Sequence, residues 1–171
     1  MPSVRLSVQA TGPVLPAVSP TVGLVDVHRP QFRCLLRLPN TLLPRDAVID
    51  TGAPLICFPE DLWRPFRVGV DFEWLPFAPG PAPPAGRLVG WQFTFRMARF
   101  LAPVTLLDYS TEVERPNVVA QFATGNPPAP PGRHSLPPVI VGLWGGLLEG
   151  GTLAVGRDPA SGHVTGGLAF P

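Results

Sequence analysis

The chain has 171 residues, 45% of them hydrophobic, which is the size of one domain and enough apolar material for a core. Its 13 basic residues, all arginine, nearly balance its 12 acidic residues, so the net charge is +1. A charge this small excludes the strong basic field with which proteins attract phosphate backbones or anionic lipids, and we expect neither nucleic acid nor a membrane as a partner.

The first element expected along the chain is a strand near its N-terminus. In VRLSVQ the apolar residues Val4, Leu6 and Val8 alternate with polar ones, which is the period of a half-buried strand. The uncharged stretch at residues 6–25 is interrupted by prolines and glycines, which is not typical of a secretion signal or a membrane span. We therefore expect N-terminal strands in residues 1–30 and a cytoplasmic chain.

The next part of the sequence predicts a hairpin. The stretch FRCLLRL places four apolar side chains on one face of a strand: Phe32, Cys34, Leu36 and Leu38. A loop at residues 39–46 leads to the short apolar run AVI, which predicts the second strand. Cys34 and Cys57 lie in apolar runs without CxxC or Cys/His ligand spacing, so we expect two buried, unpaired cysteines.

Helix signals are few. PEDLW has Pro59 where a helix start tolerates a missing amide, and two acidic residues follow it at the positive end of the helix dipole. LWGGLLE predicts one or two helical turns that end at Gly150 and Gly151. The tryptophans beside these two helices are expected to be packing anchors: Trp63 and Trp144.

Two proline-rich tracts, residues 76–86 and 127–138, hold eleven of the 25 prolines. Because proline cannot donate to a strand ladder, both tracts are predicted to be exposed loops, the first at a hairpin tip. After that tip, WQFTFRM places alternate apolar residues on one face of a strand: Trp91, Phe93, Phe95 and Met97. The short apolar runs PVIVG and TLAVG complete a pattern that predicts a mainly β fold, closed or sandwich-like, with one or two short helices.

The sequence Asp50-Thr51-Gly52 directly follows the apolar run AVI. A carboxylate at the end of a buried strand costs several kcal/mol unless it is paired or protonated, so its presence there needs a reason. Asp-Thr-Gly in this position, followed by Ala53, resembles the active-site motif of aspartic peptidases in its retropepsin-like form, DTGA. The resemblance implies a closed retropepsin-like (acid-protease) β-barrel in which Asp50 is catalytic.

Other elements are similar to this family in their order. The predicted hairpin precedes the motif, and a hydrophobic-hydrophobic-Gly element follows about ninety residues later: Ile140, Val141 and Gly142. The candidate flap over the substrate is the hairpin around the first proline tract, with Gly90 and Trp91 near its outgoing strand. The C-terminal stretch TLAVGRDPASGHVTGGLAF predicts a further hairpin. The resemblance implies one retropepsin-like domain at residues 31–171, and arginine without lysine, with abundant proline, alanine and glycine, favours a bacterial source.

The resemblance also implies a mechanism and a partner. Aspartic peptidases use two carboxylates that share one proton, and such a pair titrates as a unit. No second D-[ST]-G occurs in this chain, so the second carboxylate would be Asp50 of another copy in a homodimer. By resemblance, Thr51 would bond across the dimer axis, Gly52 would allow close backbone approach, and Ala53 would keep the floor of the site small. The implied substrate is a peptide or protein, and no cofactor is implied.

Alternatives to this interpretation stay open. The domain could keep the retropepsin-like fold without activity and serve interaction or dimerisation, or the chain could be an unrelated small ligand-binding β-barrel. Asp-Thr-Gly is also an ordinary strand-to-turn sequence. The histidines have no metal-binding spacing, and the glycines after Val141 form no GxGxxG or phosphate-binding loop, so we expect no metal site.

Overall fold

A computed structural model of the chain describes residues 2–19, 21, 23–76, 85–88, 91–124 and 139–171, and only the backbone at residues 10–19, 23–30, 85–88 and 91–93. Strands dominate it, which confirms the mainly β class. In chain order the elements are β1 (Ser3–Ser19), β2 (Gly23–Arg37), β3 (Arg45–Ile49), β4 (Ile56–Phe58), α1 (Glu60–Trp63), β5 (Phe72–Trp74), β6 (Ala85–Leu88), β7 (Trp91–Phe100), β8 (Val104–Leu107), β9 (Glu112–Arg115), β10 (Val119–Thr124), β11 (Val139–Val141), β12 (Thr152–Arg157) and β13 (Val164–Ala169).

The strands form one sheet whose order is β12-β13-β1-β2-β3-β11-β4-β10-β7-β5. Strand β6 pairs with β7, and β8 pairs with β2 and β9. Within the described residues β12 and β5 end the path without pairing to each other, so the predicted closure into a barrel is not confirmed. Alternation along a strand predicts its faces, whereas closure depends on pairing between strands distant in sequence.

The N-terminal strands are longer than the pattern indicates. Strand β1 pairs antiparallel with β2 from Ser7–Arg33 to Ser19–Gly23, and its first residues pair with β13, where Val4 lies opposite Leu168. Both Val4 and Leu6 are buried, as the alternation predicts. The proposed division of the chain at residue 30 stays a prediction.

The predicted face of β2 lies on the main core. Cys34, Leu36 and Leu38 are buried, and Phe32 packs against them from a half-buried position. Both cysteines are buried and unpaired, as predicted. Burial raises the pKa of the Cys34 thiol to about 12 and that of Cys57 to about 12, because the interior disfavours a thiolate.

An aromatic cluster fills the core around α1. The helix follows Pro59 as predicted, with Glu60 and Asp61 in its first turn. Its last residue, Trp63, stacks on Phe122 at 5.3 Å between ring centroids and donates from Nε1 to the carbonyl oxygen of Ala123 at 2.7 Å. Trp63 is therefore a packing anchor, as expected. Four more aromatic residues pack against Phe122: Phe58, Phe72, Trp74 and Phe100.

Strand β7 buries side chains on both of its faces. Ala98 and Phe100 belong to the main core, whereas Phe95 lies in a second apolar cluster. The sequence predicts one apolar face that includes Phe95, and does not predict that the opposite face is buried as well. Successive side chains of a strand point to opposite faces, so a strand between two apolar layers buries both.

The predicted helix in LWGGLLE does not form. Residues 142–150 make bends and turns, with Gly145 at φ +91° and Gly146 at φ +89°. Two consecutive residues in the left-handed region cannot continue a right-handed helix. Trp144 is also not the buried anchor expected of it, because 64% of its surface is exposed.

Several predictions fall on parts of the chain that the structure does not describe. Residues 77–84 of the first proline tract and the whole tract at residues 127–138 lie outside the described residues, and so does Gly90. Trp91 starts β7, and its backbone pairs with Leu88 of β6. Within the described residues, no helix combines the length and apolar character that a membrane span needs. The C-terminal hairpin is confirmed, with β12 antiparallel to β13.

Candidate functional site

Asp50 stands where β3 ends, beside the strand that comes about ninety residues later. Strand β3 pairs in parallel with β11, with Ala47 opposite Val139 and Ile49 opposite Val141. The Asp50 amide then donates to the Val141 carbonyl oxygen at 2.9 Å, which continues the ladder by one residue. The apolar sequences of β3 and β11 fit this place, because all three residues of β11 and the last three of β3 are buried.

After Asp50 the chain makes a tight turn that holds the carboxylate. The Ala53 amide donates to the Asp50 carbonyl oxygen at 3.1 Å, and the Gly52 amide donates to Asp50 Oδ1 at 2.9 Å. An aspartate that accepts from an amide two residues later is typical of an Asx-turn. Asp50 is half-buried, and Thr51 and Gly52 are exposed. The turn therefore presents one oriented carboxylate at the edge of the core.

The two oxygens of this carboxylate differ in their surroundings. Oδ1 accepts from Gly52, whereas no hydrogen bond to Oδ2 occurs within the described part of the chain. A carboxylate with one anchored oxygen keeps its orientation while the other oxygen can accept a proton or a hydrogen bond. This arrangement suits a general base that acts on water.

The Asp50 loop, residues 50–55, is held from behind by the residues that follow β11. The Leu143 amide donates to the Ala53 carbonyl oxygen at 3.2 Å, and the Trp144 amide donates to the Pro54 carbonyl oxygen at 2.8 Å. A Cβ atom on Gly142 would lie 2.5 Å from Ala53 O and 2.6 Å from Leu55 N. Only glycine fits there, so the hydrophobic-hydrophobic-Gly element positions the loop by direct backbone contact.

A second apolar cluster lies beside Ala53. Ala53 is half-buried and packs against five buried side chains: Val48, Cys57, Phe95, Ala123 and Ile140. Because Val48 precedes Asp50 by two residues on an extended chain, the two side chains share one face of the sheet. Asp50 thus lies on the face of the sheet that carries this apolar cluster.

The structure brings together most of the predicted site residues. Asp50, Thr51, Gly52 and Ala53 form one turn, and Ile140, Val141 and Gly142 lie against it. It does not test the flap residues Gly90 and Trp91, since the first lies outside the described residues and only the backbone of the second is described. Sequence reasoning missed the two backbone donors at positions 143 and 144, because nothing in LWGGLLE indicates that its first amides leave the predicted helix.

Comparison with known proteins finds similarity at the level of solved structures. No family model and no curated protein matches the sequence. The chain is similar to a retropepsin-like aspartic protease from Rickettsia conorii, with 13% sequence identity and a TM-score of 0.44, over 96% of this chain and 94% of that one. The geometry of the Asp50 loop, and not this similarity, bears on the chemistry of the chain.

Proposed function

We propose that the chain is an aspartic endopeptidase of the retropepsin-like type, in which two copies each contribute Asp50. The observation that carries this proposal is the Asp50 turn, with one carboxylate oxygen held by the Gly52 amide and the other without a described partner. The turn sits on a buried parallel pair of strands, β3 and β11, which keeps its position rigid.

Each Asp50 carboxyl group has a separate role in the reaction. The ionised carboxylate accepts a proton from a water molecule, whose oxygen attacks the carbonyl carbon of the scissile peptide. The protonated carboxyl group of the other copy donates its proton to the carbonyl oxygen. When the carbon–nitrogen bond breaks, the leaving amine takes a proton from the pair. A hydroxyl group of the tetrahedral intermediate returns one proton to the pair as the new carboxyl end of the product forms, so the two carboxyl groups again share one proton. The pair carries a single negative charge, because the repulsion between two adjacent carboxylates raises the free energy of ionising both.

Neighbouring residues have supporting roles in this proposal. Gly52 lets the backbone come within hydrogen-bond distance of Asp50, and Ala53 keeps the floor of the site small beside the second apolar cluster. Thr51, which is exposed, is free to bond to the second copy across the axis. Gly90 and Trp91 are the proposed flap. A bacterial source, a cytoplasmic location and the absence of nucleic-acid or membrane partners remain predictions from composition.

The test is replacement of the carboxylate at constant size. Asp50→Asn keeps the shape and the acceptor for Gly52 but cannot ionise or hold the shared proton, so kcat for a cleaved peptide should fall at least about 100-fold. The assay uses a peptide library at acidic to neutral pH, with a statine-type transition-state mimic as inhibitor. Asp61→Asn, an exposed aspartate on α1, is the matched control and should keep full activity.

The outcomes separate the alternatives. Cleavage that survives in Asp50→Asn, or that ignores the mimic, moves the activity elsewhere and reduces the motif to a turn. A wild-type chain that forms a dimer but cleaves no peptide assigns the domain to interaction alone.

A further inference from the structure

The surface beside the Asp50 loop carries a fixed, exposed tryptophan. Trp144 is 64% exposed and Leu143 is 42% exposed, although both lie next to buried residues of β11. Their backbone is held in place, because the Trp144 amide donates to the Pro54 carbonyl oxygen and the Leu143 amide donates to the Ala53 carbonyl oxygen. The segment therefore presents two large apolar side chains outward from a rigid position.

Glycines on both sides lock this segment. Gly142 lies against the Asp50 loop, and a Cβ on Gly145 would lie 2.4 Å from the carbonyl oxygen of Val119. Positive φ at Gly145 turns the chain so that position 144 faces away from the core. An aromatic side chain held in place before binding loses little entropy when a partner covers it.

A cavity of about 310 Å³ opens beside Trp144. Its walls are mainly apolar and include Ile49, Leu148, Leu153 and Leu168, and Glu149 is the one titratable side chain among the described residues that line it. Strand β12 continues this apolar surface beyond Leu153, because Val155 points to the same face and is 56% exposed. We name this surface the Trp144 patch: Leu143, Trp144, Leu153 and Val155 with the cavity between them.

The position of the Trp144 patch indicates which partner covers it. Ile49 forms part of the cavity wall, and the amides of Leu143 and Trp144 bind the Asp50 loop, so whatever covers the patch lies beside that loop. The patch has no cation to attract a phosphate backbone or an anionic membrane. A second copy is the partner that supplies the missing carboxylate, and a two-fold axis near Asp50 places the same patch of each copy in the contact.

We propose that Trp144 is the anchor of the contact between two copies, and that it holds the two Asp50 loops together through the bond from its amide to Pro54. This inference rests on the proposed function and adds the surface through which two copies would assemble the active site. A buried tryptophan at the centre of an interface is the residue type that dominates binding energy. Trp144 is thus a positioning residue, since it touches neither substrate nor the reacting atoms.

The experiment measures the dimer dissociation constant by sedimentation equilibrium of the full chain. Trp144→Ala should raise this constant about thirtyfold or more, Leu143→Ala should raise it less, and Trp144→Phe should restore most of the affinity. Tyr109→Ala removes a fully exposed aromatic side chain from the β8–β9 turn and is the matched control, with no change expected. Circular dichroism and thermal unfolding show that each variant remains folded.

Activity at several protein concentrations separates this inference from the proposed function. Peptidase activity of Trp144→Ala per chain should be low in dilute solution and recover at high concentration, because mass action rebuilds the dimer. Asp50→Asn should stay inactive at every concentration. A dissociation constant unchanged by Trp144→Ala overturns the anchor and leaves the Asp50 pair standing. A wild-type chain that is monomeric at high concentration overturns the anchor, and its peptidase assay then decides the proposed function.

Discussion

Replacing Gly142 by alanine would push the strand end at β11 away from the Asp50 loop. The added Cβ would lie 2.5 Å from Ala53 O and 2.6 Å from both Leu55 N and Leu55 O, whereas ordinary contact begins at 3.4 Å. All three atoms belong to the backbone, so no side chain can rotate to make room. The two chain segments would have to separate by about an ångström, and the bonds from residues 143 and 144 to the loop would weaken.

The magnitude follows from these contacts. Overpacking of a tight site costs about 1–3 kcal/mol. Each of the two weakened backbone bonds contributes about 0.5–1.5 kcal/mol. We expect Gly142→Ala to lower the free energy of unfolding by about 2–6 kcal/mol, against a usual total of about 5–15 kcal/mol for a domain. Because the displaced atoms belong to the loop that carries Asp50, peptidase activity should fall more steeply than stability at temperatures where the variant is still folded.

Urea unfolding is the assay, with the midpoint and the slope fitted separately. Gly167→Ala in β13 is the matched control, because the nearest atom to its added Cβ is Val4 O at 3.8 Å. That control should change stability by no more than about 1 kcal/mol, since alanine also restricts the unfolded chain. If Gly142→Ala shifts the midpoint no more than Gly167→Ala does, the packing of β11 against the Asp50 loop is not as described.

Two more predictions concern the rest of the fold. Phe122→Ala should lower the free energy of unfolding by about 3–5 kcal/mol, because Phe122 is fully buried at the centre of the aromatic cluster and its removal leaves a cavity. Phe122→Leu leaves a smaller cavity and should lower it clearly less. Equal losses for the two variants in urea unfolding would contradict this argument. Asp108 has a pKa lowered from 3.8 to about 2, first because the Arg5 amide donates to it and then because neighbouring backbone amides do. Its folded pKa is below its unfolded pKa, so the stability it contributes is present above about pH 4 and is lost as the pH falls towards 2. Thermal unfolding between these pH values should therefore depend less on pH in Asp108→Asn than in the wild type, and identical pH profiles would show that the carboxylate is not held in this way.

The strands and their buried faces could be predicted from the sequence. The alternation in VRLSVQ and FRCLLRL indicates which residues are buried, and Val4, Leu6, Cys34 and Leu36 are indeed in the core. Local chemistry was also sufficient for α1 after Pro59 and for the C-terminal hairpin. In these places the signal lies within a few residues, so the pattern and the fold cannot disagree by much.

The candidate site was predictable in part. The motif Asp50–Ala53 and the element Ile140–Gly142 were recognised separately, and their contact follows from the parallel register of β3 with β11. The outward direction of Trp144 was not predictable, because LWGGLLE is equally suitable for a short helix. It turns outward because two glycines adopt positive φ, and the lack of space beside Val119 requires glycine at position 145.

The sequence by itself determined which segments become strands, which of their side chains are apolar, and that a single Asp-Thr-Gly follows a buried strand. Only the tertiary structure decided that the sheet stays open between β12 and β5 in the described residues, that β7 is covered on both faces, and that Trp144 is exposed beside the Asp50 loop. The physical reason is the distance in sequence over which the interactions act. Strand periodicity and turn chemistry act between residues near in sequence. Sheet closure, the burial of both faces of a strand and the left-handed turn at Gly145 depend on contacts between segments far apart in the chain.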